Sequence, residues 1–91
     1  GGVRGGHAFK KSHELIVALS GSFNVVLNDG NNEVIYSLNR SNNGLYVPNL
    51  LWRSLVNFST NSLALIVSNI EYNSKDYITN FETFKTLKHE K

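Results

Sequence analysis

The residues with the clearest capacity for chemistry lie near the start of the chain, where Arg4 and His7 flank two glycines. A histidine titrates near neutral pH, so His7 could remove a proton from a substrate and return it. The guanidinium of Arg4 matches the geometry of phosphate oxygens and could bind an anionic substrate. Each residue could instead have a purely structural role. A buried histidine can be hydrogen-bonded to a neighbour, and an arginine can form a surface ion pair. The pattern permits proton transfer on a phosphorylated substrate without requiring it.

Two groups of residues have the spacing of the two motifs of cupin barrels. The first pattern, His-x-His followed by Glu and Gly, corresponds here to His7, Phe9, Glu14 and Gly21. The second pattern, Pro-x-Gly-x-x-His-x-x-x-Asn, corresponds here to Pro48, Leu50, Arg53 and Asn57. The order and spacing resemble the cupin family and imply an all-β fold, a double-stranded β-helix or jelly-roll barrel. Phe9 and Arg53 stand where the motifs have histidine. The sequence therefore differs from the motifs at positions whose side chains take part in the chemistry.

Within the cupins, the segment from Arg4 to Lys11 resembles the Arg-Gly-x-His-Ala-His-Lys segment of the WxcM-like or FdtA-type sugar 3,4-ketoisomerases. The similarity extends to about Leu87, through short segments around Gly21, Gly30, Pro48, Trp52, Asn57 and Tyr77. It implies a cytoplasmic homodimer that acts on a dTDP-linked 4-keto-6-deoxyhexose, in the synthesis of deoxysugars for O-antigen or other surface polysaccharides. In such families, strands before the Arg-Gly-His segment complete the barrel and can cross to the partner subunit.

The reaction that this resemblance implies moves a carbonyl from C4 to C3 of the sugar through an enediol. A base removes the C3 proton and an acid delivers a proton to C4, which one histidine can do in turn. The family's usual base is the second motif histidine, and Phe9 cannot move a proton. We therefore expect an isomerase in which His7 is the catalytic residue. The alternative is a sugar-nucleotide-binding or interaction cupin that has lost catalysis.

Metal binding is a third and weaker interpretation. Cupin metals are held by the histidines and the glutamate of the two motifs, and only His7 and Glu14 remain here. A catalytic metal usually takes at least three protein ligands. Because there is no cysteine, thiolate ligands, a cysteine nucleophile and disulfides are excluded. We predict a reaction without metal or other cofactor.

Five residues are predicted to bind the substrate, and each also has a structural interpretation. They are Arg4, Glu14, Tyr46, Trp52 and Arg53. Arg53 should face the barrel interior, where a buried cation needs an anion, either Glu14 or a substrate oxygen. Aromatic side chains at a barrel mouth can stack on a base or sugar, but core packing explains most of them in small β domains. His13 and His89 are expected in solvent.

The hydrophobic pattern predicts short strands followed by one helix. The strands are expected at 14–19, 23–27, 33–38, 45–47, 52–58 and 63–67, with a turn at Asp29-Gly30. The spacing of Tyr77, Phe81, Phe84 and Leu87 predicts a C-terminal helix over about 74–88, with Ser74 as its N-cap. We predict one domain over 1–91, with the barrel at about 4–70.

Charge and hydropathy argue against two classes of partner. The formal net charge is +2, from nine basic and seven acidic residues, and no basic stripe with interleaved aromatics suggests nucleic-acid binding. The apolar run at 63–67 is far shorter than the ~20 residues of a membrane span. The absence of cysteine is compatible with a reducing cytosol. The sequence opens at Gly1 without methionine, so we expect that N-terminal strands precede it.

Overall fold

The computed structural model of the chain describes residues 3–39, 43–69 and 75–89. Within these ranges there are eight strands and one helix. The strands are β1 (Val3–Phe9), β2 (Glu14–Ser20), β3 (Phe23–Asn28), β4 (Glu33–Leu38), β5 (Gly44–Val47), β6 (Trp52–Val56), β7 (Leu63–Ser68) and β8 (Tyr77–Ile78). The helix α1 spans Phe81–His89 and is too short to cross a membrane; no other helix occurs in these ranges.

The strands form two antiparallel sheets. The larger sheet has the order β4-β3-β6-β1-β8 and the smaller has the order β5-β2-β7. Neighbours in the sheets are often distant along the chain, as when β1 pairs with β6. This arrangement of antiparallel strands followed by a helix confirms the predicted all-β fold class.

The main core lies between the two sheets. It is built from alternate residues of the facing strands, which are Ile16, Ala18, Phe23, Val25, Leu38, Val47 and Leu55. Alternation follows from the strand geometry, since successive side chains point to opposite faces of a sheet. Full burial of each large side chain stabilises the fold by about 1.5–3 kcal/mol. The core therefore fixes which face of β2 and β6 points inward.

The turn between β3 and β4 matches its prediction. Asn28 Oδ1 accepts a hydrogen bond from the N–H of Gly30 at 2.7 Å, and Asp29 Oδ1 accepts those of Asn31 and Asn32 at 2.8 and 2.7 Å. Gly30 has φ 100°, a value that favours glycine. The side chains of Asn28 and Asp29 thus close the turn locally.

A second apolar cluster lies between α1 and the outer face of the larger sheet. Its buried members are Ala8, Leu50, Ile78 and Phe84, with Trp52, Phe81 and Leu87 packed against them. Lys88 Nζ donates a hydrogen bond to the carbonyl of Leu50 at 2.8 Å and ties the end of the helix to the same region. The helix thus covers one face of β1, β6 and β8.

The predicted start of the helix is wrong. Ser74 lies outside the described residues, and Tyr77–Ile78 form β8, in which Tyr77 pairs with Phe9 and Ile78 with Ala8. The helix begins at Phe81, and Asn80 caps it: its Oδ1 accepts the N–H of Thr83 at 3.0 Å. Tyr77 had fitted the helical spacing, but pairing with β1 satisfies its backbone in an extended conformation instead.

Candidate active site

A buried ion pair occupies one end of the space between the sheets. Arg53 on β6 is 0% exposed and Glu14 on β2 is 7% exposed. Arg53 Nη1 donates to Glu14 Oε1 at 2.7 Å, and its Nη2 donates to the carbonyls of Leu51 and Pro48 at 2.8 and 3.3 Å. Among the residues that the structure describes, the buried Nε of Arg53 has no hydrogen-bond partner. Burial lowers the pKa of Arg53 from its ordinary value and Glu14 opposes that shift, so the site holds a paired cation.

An aromatic group lies against this ion pair. The half-buried ring of His7 meets the rings of Phe9 and Tyr77 edge to face, with centroid distances of 5.3 and 5.0 Å. Phe9 and Tyr77 stack at 5.3 Å with an interplanar angle of 14°. The guanidinium carbon of Arg53 lies 5.3 Å from the centroid of the Phe9 ring. We call these residues, His7, Phe9, Glu14, Arg53 and Tyr77, the interior cluster.

Strand pairing brings the interior cluster together. His7 and Phe9 are two residues apart on β1 and therefore share a face. Register places His7 opposite Arg53 on β6 and Phe9 opposite Tyr77 on β8. The cluster thus combines an imidazole, a phenol and a cation, which are groups suited to proton transfer and to stabilising negative charge.

Asp76 holds the segment after β1 against β8. Its carboxylate accepts hydrogen bonds from Lys11 N at 2.7 Å, Ser12 N at 3.1 Å and Ser12 Oγ at 2.6 Å. The N–H of Lys10 donates to the backbone carbonyl of Asp76 at 2.9 Å. Burial acts to raise the pKa of Asp76, but these hydrogen bonds outweigh it and the pKa lies below its ordinary value. The ionised carboxylate therefore clamps Lys11 and Ser12, which follow β1, to the residue that precedes β8.

Two predicted substrate ligands lie away from the interior cluster. Tyr46 is 60% exposed on β5, where its hydroxyl forms a hydrogen bond of 2.6 Å with Nδ1 of a half-buried His13, which was expected in solvent. Trp52 lies on the opposite face of β6 from Arg53 and packs edge to face on Phe81 at 5.2 Å. This location matches core packing, the structural alternative for Trp52.

Arg4 lies in β1 opposite Leu55, but its side chain lies outside what the structure describes. Its role at a phosphate stays a prediction. The sequence did not predict Tyr77 as a site residue, because its spacing from Phe81 and Phe84 fits a helix and placed it in the predicted helix. No pattern in the sequence marks β8, because its two residues are too few to display a strand period.

No group of three or more histidine, aspartate or glutamate side chains in the described ranges is placed to hold a metal ion. Glu14 is engaged by Arg53, as the distance of 2.7 Å shows. The expectation of a metal-free reaction stays a prediction.

The fold and the interior cluster define a cupin-like protein, in which two antiparallel sheets enclose the polar side chains of the interior cluster. The chain matches the family described as "FdtA: WxcM-like, C-terminal" over residues 1–89 and belongs to that family. It is 35% identical over 82 residues to a TDP-4-oxo-6-deoxy-alpha-D-glucose-3,4-oxoisomerase of Aneurinibacillus thermoaerophilus, a match that covers 90% of this chain and 59% of the relative.

Solved structures of ketoisomerases have the same fold. WlaRA, a TDP-fucose-3,4-ketoisomerase from Campylobacter jejuni, matches with a TM-score of 0.90 and 33% identity over 96% of this chain and 64% of its own. A histidine-to-asparagine variant of the 3,4-ketoisomerase QdtA from Thermoanaerobacterium thermosaccharolyticum, in complex with TDP-4-keto-6-deoxyglucose, matches with a TM-score of 0.94 and 29% identity over 98% of this chain and 64% of its own. The chain spans less than two thirds of the length of these relatives.

Proposed function

We propose that this chain is part of a sugar-nucleotide 3,4-ketoisomerase acting on a dTDP-linked 4-keto-6-deoxyhexose. The observation that carries the proposal is the strand register of His7, which lies opposite the buried cation Arg53 where β1 pairs with β6, in a chain of this family. The names of the relatives support the substrate class, since they are oxo- or ketoisomerases of TDP-linked sugars. A cytoplasmic role in making deoxysugars for surface polysaccharides rests on the same similarity.

In the proposed reaction, His7 removes the proton from C3 of the sugar and returns it to C4. The intermediate enediolate carries negative charge on an oxygen, and a nearby buried cation stabilises such charge. Both Nη atoms of Arg53 already donate to Glu14 and to backbone carbonyls. Arg53 therefore acts through its field, and Glu14 acts by keeping Arg53 in position.

Substrate binding would draw on Arg4 for the diphosphate, because guanidinium matches phosphate oxygens. Tyr46 and Trp52 stay outside the proposed site, since each contacts other elements: Tyr46 contacts His13, and Trp52 contacts α1. Replacing Arg4 by Gln should weaken binding of the sugar nucleotide and of free TDP alike.

The experiment uses the full-length natural protein and dTDP-4-keto-6-deoxyglucose in deuterated water. Proton NMR should detect deuterium entering at C3 and C4 together with formation of the 3-keto product. His7→Asn should lower that exchange by about 10²-fold or more, the usual contribution of a general acid–base. The absence of both exchange and 3-keto product in the natural protein at saturating substrate would refute an isomerase of this type.

One observation favours the alternative of a non-catalytic sugar-nucleotide-binding cupin. Phe9, at the place of the second motif histidine, packs against Tyr77 and the Arg53 guanidinium and brings no proton-transfer group. Calorimetric binding of the sugar nucleotide without isotope exchange would select this second function.

We also infer that a second copy of the chain covers the outer face of the smaller sheet. Large apolar side chains on this face and on the edge strand β7 are 41–60% exposed: Leu15, Leu19, Tyr46, Leu63, Leu65, Ile66 and Val67. Among the described strands, β7 pairs with β2 alone, so one edge of β7 is open to pairing. A contiguous apolar face of this kind is typical of a subunit contact, and the homodimer implied by the family similarity supplies the occupant.

A further inference from the structure

Tyr77 brings a phenol into contact with the proposed base. Its ring centroid lies 5.0 Å from that of His7, and its ring stacks on Phe9 at 5.3 Å. Its place on β8 is fixed by backbone pairing with Phe9 and by the hydrogen bonds of the neighbouring Asp76 to Lys11 and Ser12. The phenol is therefore held in the interior cluster by local backbone structure.

The charge next to this phenol is positive. Burial lowers the pKa of Arg53, Glu14 opposes that shift, and the Coulombic attraction of an ionised Tyr77 opposes it to a smaller extent. The interaction is mutual, so the guanidinium stabilises a negative charge on the phenol oxygen by the same amount. Because Arg53 is fully buried, water screens this attraction weakly.

The isomerisation requires two separate proton movements. One proton moves from C3 to C4, and a second moves from the hydroxyl on O3 to the oxygen on C4. His7 accounts for the first movement. The second requires a group that can donate and then accept a proton at oxygen, and a phenol can do both.

We propose that Tyr77 is a second catalytic residue, which carries the proton between the two sugar oxygens while His7 carries the proton between the two carbons; this role rests on the proposed isomerase function. As His7 takes the C3 proton, the C3–H electron pair forms the C3=C4 bond and the carbonyl pair moves to O4, which takes the phenol proton. The phenolate then takes the O3 proton, the C3=O bond forms, and the C3=C4 pair takes the proton back from His7 at C4. Both residues end in their starting state.

This role explains how the chain could react without the second motif histidine. Phe9 cannot move a proton, but it stacks on the Tyr77 ring at an interplanar angle of 14° and limits its orientation. The aromatic side chain at position 9 thus positions the phenol.

The test replaces Tyr77 by Phe in the full-length protein, which keeps the ring and removes the hydroxyl. We expect kcat with dTDP-4-keto-6-deoxyglucose to fall by about 10²-fold or more, and KM to change by less than about threefold, because mainly the transition state loses an interaction. The alkaline limb of the pH–kcat profile, which the proposal assigns to the phenol, should also disappear. Tyr36→Phe is the matched control, since Tyr36 lies on β4 and is 43% exposed. Its kcat should stay within twofold of the natural protein.

A kcat of Tyr77→Phe within threefold of the natural value, with an unchanged pH profile, would overturn the role of Tyr77 and leave the isomerase function intact. An inactive natural protein would overturn both. If Tyr77→Phe does not fold, as judged by circular dichroism, 3-fluorotyrosine at position 77 keeps the shape with a more acidic phenol. The alkaline limb should then move to lower pH, and an unmoved limb would count against the proposal.

Discussion

At the residue scale, the most informative position is Phe9. Its ring fills the place of a family histidine, between His7, Tyr77 and the guanidinium of Arg53. A phenylalanine there makes the cluster drier but leaves it with one imidazole. In the proposed mechanism, His7 and Tyr77 therefore carry out all the proton transfers.

Phe9→His adds a second imidazole beside Tyr77 and His7. We expect kcat for dTDP-4-keto-6-deoxyglucose to rise by about tenfold or more, since a positioned general base contributes about 10²–10⁴-fold and one is already present. Phe9→Leu is the control for the loss of the aromatic ring. An unchanged kcat in Phe9→His would argue that position 9 has no part in proton transfer.

The Arg53–Glu14 pair permits a stability prediction at the same scale. Arg53→Met leaves the Glu14 carboxylate buried and unpaired, which should lower the free energy of unfolding by about 3–5 kcal/mol. The double variant Arg53→Met/Glu14→Leu should recover most of that loss, because a buried ion pair can be replaced by apolar groups at little cost.

Urea unfolding of four proteins, the natural protein, Arg53→Met, Glu14→Leu and the double variant, measures this double-mutant cycle. Lys85→Met provides the contrast, since it breaks the exposed pair with Glu82 at the surface of α1 and should change stability by less than about 1 kcal/mol. Additive effects of the two core substitutions would contradict a coupled buried pair.

At the element scale, β8 and the segment after β1 depend on Asp76. Asp76→Asn removes a charged acceptor of three hydrogen bonds and should lower the free energy of unfolding by about 1.5–3 kcal/mol at pH 7. Glu82→Gln, on the exposed surface of α1, should have little effect. Equal stability of Asp76→Asn and the natural protein would mean that the clamp is not stabilising.

The same clamp predicts a pH dependence. The pKa of Asp76 in the folded protein lies below the ordinary value of 3.8. Its stabilisation is therefore fully present above the unfolded pKa and is lost as pH falls through the folded pKa. The stability difference between natural protein and Asp76→Asn should be constant from about pH 5 to 8 and shrink below about pH 4, as measured by urea unfolding at each pH. A stability difference that grows as the pH falls would mean that the pKa of Asp76 is raised in the folded protein, and would contradict the prediction.

At the scale of the whole molecule, the apolar outer face of the smaller sheet predicts association. Leu65→Lys places a charge on that face and should raise the dimer dissociation constant of the full-length protein by about 100-fold, equivalent to about 2.7 kcal/mol. Sedimentation equilibrium measures the constant. Ile35→Lys on β4 is the matched control, since Ile35 is 60% exposed on the other sheet. A monomeric natural protein, or a dimer lost with Ile35→Lys alone, would exclude this face.

Local patterns in the sequence predicted much of the fold. The strands β2, β3 and β4 match their predicted ranges to within one residue, because continuous or alternating apolar residues end at turn-forming residues such as Gly21 and Gly30. The spacing of Arg53 after Pro48 also raised an Arg53–Glu14 pair as an alternative, and the structure contains it. These features depend on residue type and short-range spacing, which a sequence carries directly.

Tertiary structure alone decided which side chains meet. Tyr77 joins His7 because β8, only two residues long, pairs with β1 across the chain, and two residues are too few to display a strand period. Tyr46 and Trp52 lie away from the interior cluster because the core residues of β5 and β6 fix the opposite faces inward. The sequence by itself determined β2 to β7, the turns and the family motifs, whereas pairing between distant strands determined β8 and the composition of the site.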